Sequence, residues 1–81
     1  MINERKLEEF RIKYRIQLTN AVTNKPDEYG YTVDQIEPVI NKMIGAVREH
    51  SFINEGAIKK TIKEITGEYS AKAFYKWLES D

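Results

Sequence analysis

Val33, Ile36, Val39, Ile40, Met43, Ile44 and Val47 recur at steps of three and one, which places all seven along one stripe of a helix. An amphipathic helix of this kind has to bury its stripe against something. The chain has 81 residues and no cysteine, so no disulfide or thiolate metal site can help, and packing must hold the fold alone. Asp34 with Glu37 three residues later predicts a capping box, with Asp in place of Ser or Thr. Pro38 then falls in the first turn, where a missing N–H costs little, and the regular helix spans 35–49.

The N-terminal third admits two readings. Phe10, Ile12, Tyr14, Ile16 and Leu18 alternate strictly with polar residues, which is the period of a half-buried strand. The same stretch also fits a helix, with Leu7, Phe10, Tyr14, Leu18, Ala21 and Val22 in one stripe and Ile12 and Ile16 on the far side. Three features favour the helix. Asn3 can cap it, Glu4, Glu8 and Glu9 sit early where the dipole favours acid, and Glu9 precedes Lys13 by four. No convincing partner strand follows. The predicted helix spans 3–24 and ends at Asn24-Lys25-Pro26. With apolar residues on two sides, it is either central in the bundle or half of an oligomer interface.

Residues 25–33, KPDEYGYTV, read as a loop. Asn54 is expected to cap a third helix over 54–66, with Ala57, Ile58, Ile62 and Ile65 facing inward and Gly67 stopping it. Ser70 is expected to cap a fourth over 70–80, with Ala71, Phe74, Tyr75, Trp77 and Leu78 inward. The fold expected is therefore all-α: a small four-helix bundle ending in a helical hairpin, a single domain over 1–81. A core of this size is marginal without a staple, so self-association is also expected.

Thirteen basic and thirteen acidic residues cancel, but not locally. Residues 1–25 carry six basic against three acidic, residues 26–47 one against four, and residues 48–81 six of each. Such a surface can dock a partner of either sign, one block at a time. No apolar run approaches the about 18 residues of a membrane span, and the first residues lack a signal-peptide core, so a soluble intracellular protein is expected. Enzyme is the least favoured class. The single histidine, His50, lies at a predicted helix end where a cation complements the dipole. There is no H-E-x-x-H, phosphate-cradling glycine loop, G-x-S-x-G or EF-hand loop, and the adjacent pairs Glu8-Glu9 and Asp27-Glu28 point apart on a helix. No catalytic residue, metal or cofactor is expected.

Two surfaces could bind a macromolecule. The first is the acidic loop with Asp27, Glu28, Tyr29 and Tyr31. Its tyrosines either fold back over the core with only their hydroxyls wet, or stand out and anchor a protein interface at low entropy cost. With the outer stripe of the first helix, Ile12 and Ile16, this loop is the expected protein-binding surface. Tyr14 and Tyr69 read as core edge. The second is the hairpin, where Lys59, Lys60, Lys63, Lys72 and Lys76 leave the apolar face and could neutralise phosphates. As a helix–turn–helix it is out of register. With Gly67 as the turn glycine, the positions that need small or apolar residues hold Lys63, Thr66 and Glu68, and the second helix offers no Arg, Asn or Gln to bases. Nucleic-acid binding is the alternative reading.

Residues 55–78 contain Glu55-Gly56-Ala57-Ile58-Lys59-Lys60-Thr61, Lys63-Glu64-Ile65, Gly67 and Ser70-Ala71-Lys72-Ala73-Phe74-Tyr75-Lys76-Trp77-Leu78. This segment resembles the C-terminal helical hairpin of small helical proteins encoded by tailed bacteriophages. The chain departs from their pattern by one residue before the alanine and in having Thr66-Gly67-Glu68-Tyr69 at the turn. The resemblance implies a short viral accessory protein, in the cytoplasm of an infected bacterial host, of a kind that often binds host or anti-phage defence proteins. It implies no catalytic residue.

Overall fold

The computed structural model describes residues 1–81, and every regular element is helical, with no strand. α1 (Glu4–Asn24) leads to the one-turn α2 (Pro26–Tyr29), a 3-10 turn over Val33–Gln35, α3 (Ile36–Arg48), α4 (Gly56–Thr66) and α5 (Ala71–Leu78). The small all-α bundle read from the apolar spacing is the fold observed.

Residues 10–18 are helix, and burial shows why. Leu7, Phe10, Tyr14, Leu18 and Val22 are buried, whereas Ile12 and Ile16 are 55% and 56% exposed. A strand could not separate Phe10 from Ile12, because residues two apart share a face. The Asn3 side chain caps α1, accepting from the N–H groups of Arg5 at 3.0 Å and Lys6 at 3.4 Å. α1 is the axis of the bundle: α2, α3, α4 and α5 all pack against it. Phe10 is fully buried near its N-terminal half, stacked on Tyr14 at 5.6 Å and tilted against Phe74 of α5 at 4.9 Å. Ile40, Ile44 and Val47 of α3 and Ala57, Ile58 and Ile62 of α4 complete the core.

Local start and stop signals give a mixed result. Ser70 caps α5 by accepting from the Ala73 N–H at 3.2 Å, and Gly67 closes α4 in the left-handed region at φ +80°. Four expectations are corrected. The residues between α1 and α3 are not all loop, because Pro26 starts the single turn α2. The entry to α3 is organised one turn early. The Thr32 N–H donates to Gln35 Oε1 at 2.9 Å and the Gln35 N–H to Thr32 O at 3.0 Å, ahead of the Asp34/Glu37 pair. Asn54 does not cap α4; its Nδ2 donates to Tyr69 O at 2.7 Å, tying the α3–α4 connection to the α4–α5 turn, and α4 begins at Gly56 instead. α5 also ends at Leu78, two residues before the expected end.

Polar clips fix the rotation of α1 between its neighbours. Arg48 of α3 grips Glu4 through both terminal guanidinium nitrogens, Arg15 pairs with Glu37, and Arg11 donates to Asn41 Oδ1 at 3.0 Å. On the other side Gln17 and Lys13 both reach Glu64, at 3.1 and 3.6 Å. All are solvent-exposed pairs, which orient more than they stabilise.

Phe10→Ala should cost about 3–5 kcal/mol in urea unfolding, whereas Ile12→Ala should stay within about 0.5 kcal/mol of the parent. Equal losses at the two positions would contradict the helical parity of α1.

Candidate functional site

The 26–31 segment is shaped by its own residues. Pro26 pre-sets the first turn of α2. Gly30 at φ +70° then reverses the chain, with its N–H donating to Pro26 O at 3.1 Å. Tyr29 and Tyr31 consequently face each other edge-on at 6.0 Å, half-buried and packed on the core. Of the two placements open from the sequence, they adopt the folded-back one. Tyr29 also closes on α4. A Cβ at Gly56 would stand 3.3 Å from Tyr29 Oη, and Gly56 itself sits at φ +58°.

Folded back, the two tyrosines build the wall of a groove of about 350 Å³, with Tyr14, Met43 and Ile53 facing it and Glu28 and Glu55 at its rim. Tyr14 is a core residue at the edge of the packing: it is 3% exposed and lines the groove, and its hydroxyl bonds nothing within the chain. Burial pushes the Tyr14 phenol up to about 12, with further contributions from Tyr31 and Tyr29 beside it. Burial and Tyr29 raise Tyr31 as well. Tyr14 and Tyr31 are therefore neutral phenols at ordinary pH, able both to donate and to accept.

A second groove of about 250 Å³ adjoins the first and shares Met43 and Ile53 with it. Val39, Ala46 and Phe52 line it, with Lys42 and Ser51 at its edges. Ile53, 70% exposed, stands between the two. Together they form an apolar and aromatic surface with an acidic border. Asp27, Asp34 and Glu55 make no ion pair, Glu28 has only Lys25 at 3.9 Å, and Glu37 is taken by Arg15.

The other residues singled out from the sequence lie elsewhere. Ile12 and Ile16 are on the outer face of α1, opposite the face that carries Tyr14 to the groove. Of the hairpin lysines, Lys59 and Lys63 lie over the Tyr69 ring at 5.3 and 5.4 Å, and Lys63 Nζ also donates to Gly67 O at 2.6 Å. Tyr69, also expected at the core edge, is a half-exposed platform for these ammonium groups. Lys60 lines a polar cleft on the far side of Tyr29, with Glu28 and Gln17. Lys72 and Lys76 are exposed on α5. His50 lies beyond the end of α3 at φ +55° and stacks on Tyr75 at 3.8 Å. Phe52, Ile53 and Glu55 were not marked by the sequence patterns, although two apolar residues inside a short polar connection are a signal of a kind.

No three His, Cys, Asp or Glu side chains converge where they could hold a metal ion, and no helix is long and apolar enough to cross a membrane. No protein-family model matches the chain, and comparison with curated proteins and with solved structures gives no match.

Gly56→Ala should lower stability by about 1–2 kcal/mol, because alanine pays for the left-handed backbone, with its methyl also pressed on Tyr29. A thermal melt checks this, and an unchanged midpoint would contradict the assigned geometry. For Tyr14, the folded state keeps its proton to about pH 12 whereas the unfolded phenol loses it near its ordinary value of 10.0. Stability tied to Tyr14 is thus fully present below about pH 10 and falls as pH rises toward 12. Tyr14→Phe should flatten that alkaline loss in chemical denaturation followed from pH 9 to pH 12.

Proposed function

We propose that this chain is a small binding protein without catalytic activity, and that it works by docking another protein on the surface formed by Tyr29, Tyr31, Met43, Phe52 and Ile53. The observation that carries the reading is the continuity of two grooves across Met43 and Ile53, with a large aliphatic side chain left 70% exposed between them. Exposed apolar surface of this kind, rimmed by polar groups, marks interaction sites. The tyrosines contribute by shaping the groove from their folded-back position. Glu28 and Glu55 supply its charged border, and Asp27 lies next to Glu28 in the chain.

The outer face of α1 is the weaker candidate. Two half-exposed isoleucines fall far short of the about 800 Å² that each partner buries in a stable dimer. The likeness of residues 55–78 to phage hairpins supports placing the protein among viral accessory factors that modulate a host or defence protein. The alternative, nucleic-acid binding through Lys59, Lys60, Lys63, Lys72 and Lys76, is less favoured, because two of the five lysines are drawn onto Tyr69.

Affinity capture from bacterial lysate tests the reading with three forms of the protein: the parent, Ile53→Glu, and the double variant Ile12→Glu/Ile16→Glu. A captured protein should be lost by at least tenfold with Ile53→Glu and retained with the α1 variant. Loss with the α1 variant alone would move the site to α1. Tight binding of DNA or RNA that falls steeply with salt would favour the lysine hairpin instead.

A further inference from the structure

The groove behind Ile53 has a polar interior that apolar docking alone does not explain. Tyr14 is nine-tenths buried and more, yet its hydroxyl has no partner in the chain and lines the groove. The hydroxyls of Tyr29 and Tyr31, on the same groove, are also unbonded within the chain. Three phenols that can each accept a hydrogen bond therefore surround one space. Burial holds the protons of Tyr14 and Tyr31 on their oxygens.

Charge comes from the rim. Glu28 and Glu55 flank the opening, and Glu55 is unpaired. Asp27 and Asp34 stand in the same segment without ion pairs, and residues 26–37 contain no basic residue. The cations in the neighbourhood are Lys25 beside Glu28, Lys60 in the cleft beyond Tyr29, and Lys42 at the edge of the adjoining apolar groove. An anionic group entering between the tyrosines would meet two carboxylates, with only the phenol O–H groups and the first N–H groups of α4 to donate to it. A cation would meet counter-charge at the rim, phenol oxygens to accept its N–H groups, and aromatic rings that attract positive charge.

Resting on the docking role proposed above, we infer that this groove takes a lysine or arginine side chain from a basic amphipathic segment of the partner protein. The phenols of Tyr14, Tyr29 and Tyr31 receive the cationic head, and Glu28 and Glu55 balance its charge. The adjoining groove of Val39, Met43, Phe52 and Ile53 takes the apolar residues of the same segment, in the manner of a helix laid in a groove. Border acids also steer such a segment toward the site and exclude acidic competitors.

The test uses a fluorescein-labelled amphipathic leucine–lysine peptide and its leucine–glutamate counterpart as probes. Anisotropy measures affinity, and NMR of ¹³C-labelled tyrosine rings and isoleucine methyls reports where each probe sits. The lysine peptide should bind at least tenfold more tightly than the glutamate peptide and should shift the Tyr14, Tyr29 and Tyr31 rings. Glu28→Gln/Glu55→Gln should weaken it about tenfold, and Tyr14→Phe severalfold, while Glu68→Gln on the far hairpin leaves it unchanged. Equal affinity for the two peptides overturns the cationic assignment, as does a response to Glu28→Gln/Glu55→Gln within twofold or no binding of the lysine peptide at about 1 mM. If the glutamate peptide still moves the tyrosine rings, docking at the groove survives and only the charge preference fails. If the lysine peptide moves the Ile12 and Ile16 methyls and not the tyrosines, the docking site itself is wrong. Shifts of the same rings with protein concentration alone would identify a second copy as the occupant and overturn the inference.

Discussion

Everything in this molecule is arranged around the buried stripe of α1. Phe10, Tyr14, Leu18 and Val22 are the surfaces on which the other helices close, and Phe10 against Phe74 joins the start of the chain to its end. Without a disulfide, the alternative to this burial is an unfolded chain. The ion pairs of Glu4, Arg15 and Lys13 set how α1 is turned, and so which residues face out, but they sit in water and hold little by themselves. The chain ends are fastened by the same logic of short-range contacts. The Asn3 N–H donates to Leu78 O at 2.9 Å, and Lys6 lies 5.7 Å from the Trp77 ring.

That arrangement explains why a binding surface forms on one side. Tyr14 belongs to the core stripe, but its ring ends at the edge of the packed region, where α2 and the α3–α4 connection cover α1 incompletely. The chain fills part of the gap with Tyr29 and Tyr31, held by one turn of helix and two left-handed glycines, Gly30 and Gly56. What remains open is an aromatic space with apolar surface beside it and carboxylates around it. The resulting polarity is unlike that of α1's outer face, where Ile12 and Ile16 stand on a single convex ridge.

Much of the fold was legible because its determinants are local. The three-and-one spacing of α3, the Ser70 cap and the Gly67 stop each depend on residues within one turn, and each was found where expected. The reading of α1 as helix rested on cap and charge signals strong enough to outweigh a clean alternation. Errors arose where the deciding partner is distant in sequence. Asn54 has the identity of a cap, but its amide is claimed by Tyr69 O, fifteen residues away. Thr32-Gln35 and Asp34-Glu37 are two overlapping capping patterns, and the choice falls to the one that brings Ile36 into the core as α3 begins. The candidate site was legible only in part for the same reason. Tyr29, Tyr31 and Glu28 are contiguous and conspicuous, whereas Tyr14, Met43, Ile53 and Glu55 join them only through tertiary packing.

The most direct measurement of the central claim is site-specific photocrosslinking in cells, with a benzophenone side chain replacing Ile53 in one protein and Ile16 in another. The account predicts a discrete protein adduct from position 53 and none from position 16. An adduct from position 16 with none from position 53 would contradict it.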